Sequence, residues 1–178
     1  MTDLGNIALW IALLIGCWGS AVAFAGGRTG RADLAASGER AVYVMWGLLF
    51  VASVGLMRAL LMHDFNVEYV AAYTSRNLPV YYTWSAFYAG QKGSLLFWAI
   101  VVATFGSAAM LANRGKYREL MPYVAGVVLV TVTFFVAVML FASNPFERLG
   151  FTPPDGRGLN PQLQNPGMTI HPPMLYLG

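Results

Sequence analysis

Few residues in this chain can do chemistry. Among 178 residues there are two histidines, one cysteine and eight acidic side chains. His171 is the candidate set in a constrained context, in the run Leu159-Asn-Pro-Gln-Leu-Gln-Asn-Pro-Gly-Met-Thr-Ile-His171-Pro172-Pro173-Met-Leu-Tyr-Leu177. A residue before proline is driven out of the helical region, and proline's fixed φ and missing N–H suit the first turn of a helix. The spacing therefore predicts a helix opening at Pro172 and Pro173 and running through Met174, Leu175, Tyr176 and Leu177, with His171 held at or just before its start. An imidazole fixed in this way is a ligand for iron. The other use of a histidine beside prolines is as a hydrogen-bonded loop residue.

The remaining candidates are thinner. His63 has no second histidine or cysteine at helical spacing and reads as a polar residue at a membrane surface. Asp64 and Glu68 are one helical turn apart, a slender basis for acid–base work. Cys17 stands alone in an apolar run, which excludes a disulfide framework and makes it a small packing residue. There is no phosphate loop, dinucleotide fingerprint or nucleophile triad, so no catalytic residue is assigned. The net charge of +3 needs no nucleic acid to explain it.

The elements that must position His171 follow from composition. At 57% hydrophobic and 11% charged, with a mean hydropathy of +0.57, the chain lies outside the range of soluble domains. Four tracts carry no charge: Leu4 to Gly27, Ala41 to Met57, Gly93 to Asn113 and Leu120 to Phe146. A membrane helix needs about 20 apolar residues. The second tract continues past Arg58, which can snorkel, through Met62. The expected fold class is all-α: a polytopic membrane helix bundle with spans near 5–27, 41–62, 93–113 and 120–143, an outer interfacial helix, and a Pro/Gly-rich outer loop. Arg28, Arg31 and Arg40 follow the first span, and Arg114, Lys116 and Arg118 follow the third. The positive-inside rule puts both loops in the cytoplasm, so the amino terminus and the loops 63–92 and 144–178 face outward. The amino terminus lacks a basic n-region, carries Asp3, and is followed by too long an apolar run for a cleaved signal peptide.

Several local signals refine this picture. Ala25-Gly26-Gly27-Arg28 reads as a helix stop, followed by a polar connection over 28–40. Tyr81, Trp84 and Tyr88 share one face of a surface helix after Pro79. Such rings form an interfacial belt or a flat apolar shelf for a planar ligand. Gly90 and Gly93 break that helix, and Ser94 reads as the N-cap of the third span. Asn160, Gln162, Gln164 and Asn165 are placed to satisfy backbone groups in a tight tail. A helix that opens at Met174 and ends at Gly178 points to the front piece of a longer protein, or to a second polypeptide that continues it.

Three segments together, AGQKGSLLFW within Tyr88 to Trp98, SNPF from Ser143 to Phe146, and LNPQLQNPGMTIHPPMLYLG from Leu159 to Gly178, resemble the amino-terminal portion of the CcmF/NrfE haem lyase family of cytochrome c-type biogenesis. HDFNVEYV from His63 and Leu78-Pro79-Val80-Tyr81 fit as well. The resemblance covers nearly the whole chain in order. It implies a component of the system I cytochrome c maturation haem lyase that binds haem (iron) at the outer membrane face for attachment to the Cys-X-X-Cys-His motif of apocytochrome c. It implies as partners the haem chaperone CcmE, CcmH-type subunits, the remaining carboxyl-terminal part of the lyase, and membrane lipid. It places the chain in the bacterial inner (cytoplasmic) membrane, or an organellar inner membrane in a eukaryote, with the functional face periplasmic. It makes His171, before Pro172 and Pro173, the metal ligand. Apart from the resemblance, Arg157 or Arg148 suits the haem propionates, as arginine matches carboxylates, and Trp84 belongs to the apolar shelf. The second axial ligand lies downstream in the family, so this stretch alone does not complete the reaction. Lys92 stands where the family usually carries an acid, and no ligand role passes to His63. A scaffold that docks partner proteins without catalysis is the competing reading.

Overall fold

The computed structural model describes residues 2–113 and 115–177, with only the backbone described for Pro173, Tyr176 and Leu177. Arg114 lies outside the described residues. Four helices are long and apolar enough to cross a membrane: α1 (Thr2–Thr29), α2 (Ala32–Leu61), α5 (Gln91–Ala112) and α6 (Met121–Ala142). Short helices α3 (Glu68–Tyr73), α4 (Val80–Tyr88) and α7 (Pro166–Leu177) sit at one end, with a 3-10 turn at Pro161–Leu163. Every described helical or turn element fits the expected all-α bundle.

The bundle closes through small side chains. Gly5, Ala8, Ala12, Gly16, Gly19, Ala23 and Gly26 line the buried face of α1, recurring every three or four residues. Membrane helices gain little from hydrophobicity against lipid tails, so close backbone approach and dispersion carry the association. A Cβ on Gly38 would lie on Ala23, and one on Gly26 would lie on the Ala35 backbone. Leu9, Met45, Leu49, Leu56, Leu96, Leu129 and Met139 fill the core.

That tight hairpin corrects the expected polar connection over 28–40. α1 runs to Thr29, Gly30 turns with φ +66°, and α2 starts at Ala32. Gly26 and Gly27 do not stop α1, because close packing of Gly26 on Ala35 of α2 and of Gly27 on Tyr123 of α6 outweighs their low propensity. Cys17 is also corrected: it is exposed on α1 rather than packed.

The two ends of the bundle differ in charge. By sequence position, the end with the α1–α2 and α5–α6 turns holds six basic and three acidic residues. The other end, capped by α3, α4 and α7, holds five of each. The net +3 therefore resides wholly at the turn end.

Candidate functional site

The capped end is built from a corner and a strap. At the corner, Tyr69 of α3 is buried and its phenol is pushed well above the ordinary range, chiefly by burial. It keeps its proton and works both ways. Its hydroxyl lies 2.9 and 3.1 Å from the carbonyls of Ala86 and Phe87, into which it donates, and it accepts the Gly90 N–H at 3.1 Å. Gly93 passes so close that a Cβ would fall on the Phe87 carbonyl and the Tyr69 hydroxyl. Gly93 therefore lies inside α5 instead of breaking the surface helix. Ser94 is likewise not the N-cap: Gly90 holds that place, and the Ser94 hydroxyl donates to the Tyr88 carbonyl at 2.7 Å. Lys92 reaches two carboxylates, Glu68 at 2.5 Å and Glu147 at 2.6 Å, and joins α5, α3 and the segment after α6. The hydrogen bond and charge of Lys92 hold the Glu147 carboxyl below its usual range.

The strap is the tail after α6. Leu149 N–H donates to Asn66 and Glu68 N–H to Glu147, and the Arg157 and Gly158 amides donate to the carbonyls of Ala71 and Thr74. Asp155 accepts from the Arg76 and Gly156 amides, which keep its carboxyl below the usual range. Asn160 and Asn165 accept from Gln162 N–H and Gly167 N–H, and Gln164 donates to Leu159 at 2.8 Å. These amides serve the tight tail their positions suggest.

His171 is not at a helix start. α7 opens at Pro166, where Asn165 receives the Gly167 amide through its side chain and the Thr169 amide through its carbonyl. His171 therefore lies mid-helix, with Pro172 and Pro173 inside it. The Asn-Pro step supplies a better start, capped and with proline at the first helical position. The cost falls on the carbonyls four residues back, since a helical proline offers no N–H. Thr169 is four residues before Pro173, and its carbonyl instead receives the Tyr88 hydroxyl. The Ser85 hydroxyl donates to Thr169 Oγ1 at 2.9 Å, and Tyr82 donates to the Gln164 carbonyl at 2.7 Å. Two hydroxyls of α4, on Ser85 and Tyr88, thus fasten α7 to the bundle, and that of Tyr82 fastens Gln164 just before it.

The same contacts fix where His171 points. Thr169 faces α4, and a residue two further on lies about 200° round the helix, on the far side. His171 is exposed there. Met168, Ile170, Met174 and Leu175, also uncovered, surround it. An imidazole set in an uncovered apolar stripe can coordinate the metal of a flat apolar macrocycle from one side. Among the described residues no group of histidine, cysteine or acidic side chains could hold a bare metal ion, so any second ligand comes from elsewhere.

The other candidates divide. Pro172 is half-buried on α7 beside His171, and the side chain of Pro173 lies outside the described residues. Trp84 and Tyr81 are exposed on α4. Tyr88 leaves their company for the Thr169 carbonyl. Arg157 is exposed on the strap against α3, and its guanidinium makes no ion pair among the described residues. Arg148 is engaged with Asp3 at 2.8 Å. His63 takes a left-handed backbone, φ 50°, with Nε2 buried and unpartnered. Asp64 lies before α3 and binds Asn66, so it forms no helical pair with Glu68. The docking set Tyr82, Ser85 and Thr169 escaped sequence reasoning. Starting α7 at Pro166 would have exposed it, through the stranded Thr169 carbonyl.

Residues 88–178 match the family described as Cytochrome C assembly protein. The cytochrome c-type biogenesis protein CcmF of Haemophilus influenzae is 34% identical over 100% of this chain, which covers 28% of that protein. CcmF of Pseudomonas aeruginosa is 35% identical over 99% of the chain and 27% of its own length. A solved structure, Cytochrome c Heme Lyase CcmF, superposes on 99% of the chain with a TM-score of 0.82 at 25% identity, again over 27% of its length. The chain thus spans about a quarter of the length of the relatives it matches.

Proposed function

As the chain belongs to the cytochrome c assembly protein family, we propose that it forms the haem-orienting, amino-terminal portion of a system I haem lyase. Haem is its substrate, passed from the chaperone CcmE and joined to the Cys-X-X-Cys-His motif of apocytochrome c held by CcmH-type subunits. The remaining part of the lyase supplies the second axial ligand. The turn end faces the cytoplasm of a bacterial inner membrane and the capped end faces the periplasm, as the confinement of the net charge to the turn end supports.

One observation carries this reading: the His171 ring is uncovered within an apolar stripe, on a helix held in place by two hydroxyls of α4, with a third holding the residue Gln164 just before it. Coordination by a fixed imidazole sets the plane and height of the porphyrin. Thioether formation needs a vinyl group and a thiolate in near-attack geometry, and such positioning accounts for much of the rate of reactions of this type. Pro172 stiffens the backbone beside the ligand. Trp84 offers an exposed apolar ring, and Arg157 an uncommitted fork for a propionate.

The test is the intact protein purified with its partners, with haem absorption bands and cytochrome c maturation recorded for the parent and His171→Ala. The expected result is loss of both, with partial recovery on adding imidazole, which fills the vacated ligand position. Bands and maturation that survive the substitution would instead favour a scaffold.

A further inference from the structure

His171 stands over one side of the bundle. α7 is fastened to α4, and α4 rests on α2 and α5. If the remaining part of the lyase supplies the second axial ligand, it must come to this side to meet the haem. The outward surfaces of the long helices differ in a way that matches.

On α1 and α6 the outward side chains suit lipid. Leu14 and Trp18 of α1 and Val130 and Phe134 of α6 are exposed. The Ser20 and Thr131 hydroxyls donate to carbonyls of their own helices, which leaves hydrocarbon no unmet donor. The outward face shared by α2 and α5 is different. Glu39, Tyr43, Gly47, Phe50 and Val54 of α2 follow one another every three or four residues and share a side. At one end of it, Glu39, Arg40 and Tyr43 meet Met110 and Leu111 of α5 around a hollow of about 420 Å³. Glu39 and Arg40 lie about two turns inside α2, and neither takes part in an ion pair among the described residues. Acyl chains offer such charges no partner. Further along, the indole N–H of the exposed Trp46 donates to Thr104 of α5 at 3.0 Å, so a polar link lies open on this face.

Gly47 sets the face apart again. A Cβ on Gly16, Gly19, Gly38, Gly106 or Gly126 would meet a neighbouring helix, whereas one on Gly47 meets nothing. A glycine inside a span weakens its own helix, and membrane helices use such a position for the close approach of another.

We infer that the α2–α5 face is the seat of a membrane helix from the remaining part of the lyase. That helix packs on Gly47 and Phe50 and carries a hydrogen-bonding or charged side chain at the level of Glu39 and Arg40. The inference rests on the reading of this chain as the front portion of a lyase. Close approach at Gly47 supplies dispersion, and the polar side chain answers Glu39 or Arg40 and fills the hollow. A helix seated there brings the remaining part to the side on which α4 carries α7.

Photo-crosslinking of the intact lyase in its own membrane tests this. Benzoylphenylalanine is placed singly at positions 50, 111, 14 and 134, and the adducts are identified by mass spectrometry. The expected result is capture of the remaining part from positions 50 and 111, and of lipid from 14 and 134. The segment caught from 111 should carry a polar or charged side chain. Gly47→Leu should lower the thermal midpoint and reduce capture from position 50 to background, while Ala21→Leu on the exposed side of α1 changes neither. Should Gly47→Leu fail to accumulate, Gly47→Ala is read instead, with the same direction expected. Capture of lipid, another subunit or a second copy from position 50 would overturn the inference. So would equal capture of the remaining part from 14 or 134, a wholly apolar segment at 111, or a Gly47→Leu protein as stable as the parent. Lipid at position 50 with haem bands lost in His171→Ala sinks the seat alone. Bands that survive His171→Ala, with the remaining part still caught from position 50, sink the haem role alone.

Discussion

Replacing Tyr88 by Phe removes one hydroxyl and keeps the ring. The hydroxyl lost is the partner of the Thr169 carbonyl, which Pro173 deprives of its helical donor. A net hydrogen bond contributes about 1 kcal/mol. The carbonyl has no backbone substitute, so the loss should fall at or above that figure, a factor of about five in the opening equilibrium of α7. Tyr82→Phe removes the bond to Gln164, two residues before the same helix, with a similar effect. If the two act independently, the double variant loses about 2 kcal/mol and opens about thirtyfold more often. Amide exchange reads this directly, since local opening free energies set protection. The reporters are Thr169, Ile170 and His171, because Pro172 and Pro173 carry no amide hydrogen. Exchange at these three should accelerate about fivefold in either single variant and about thirtyfold in the double, while the Tyr69 corner stays protected. Unchanged exchange in the double variant would refute the idea that α4 holds α7. Equal acceleration at the corner would show general unfolding instead of a released helix.

Two further outcomes follow from the corner and the strap. Lys92→Glu gathers three carboxylates where one ammonium now bridges two, and should cost about 1 kcal/mol, since the lysine is half-buried and both carboxylates are exposed to solvent screening. Adding Glu147→Lys should return part of that loss in thermal unfolding, and a single variant as stable as the parent would count against the bridge. Acid should loosen the strap: Glu147 and Asp155 have carboxyls held below the ordinary range, by Lys92 and by the Arg76 and Gly156 amides respectively. Their contribution is full above the ordinary carboxylate range and is lost as pH falls through the lowered values. Proteolysis within 148–160 should therefore rise below about pH 4, and Asp155→Asn should remove much of that pH dependence.

The four long helices were legible because charge-free tracts of membrane length admit few other folds. What the tracts did not reveal was where helices stop. Gly26 and Gly27 read as a stop, yet α1 passes through them, because the missing side chains let α2 approach at Gly26 and Tyr123 of α6 at Gly27, and packing overrides propensity. Ser94 reads as a cap on local chemistry, yet the chain starts α5 at Gln91, because the Gly90 amide is already claimed by Tyr69 from a distant element. Lys92 looked out of place in the family pattern until Glu68 and Glu147, far from it in sequence, supplied the partners. In each case the deciding group is a long-range neighbour that one strand of text cannot reveal.

The prolines after His171 make the same point in energetic form. Read locally they begin a helix, and in the fold they weaken one. Two missing N–H groups leave α7 with backbone carbonyls that its own turns cannot serve, so the helix is incomplete unless another element donates. The α4 hydroxyl of Tyr88 does so at Thr169. The Pro-Pro pair thereby makes α7 depend on α4, and His171, two residues beyond the shared carbonyl, is tied in angle and height to the bundle instead of to its own segment. A helix with ordinary residues at 172 and 173 would satisfy itself and could detach without penalty at that carbonyl. Pro173→Ala should therefore loosen the coupling of α7 to α4 even as it improves the helix itself.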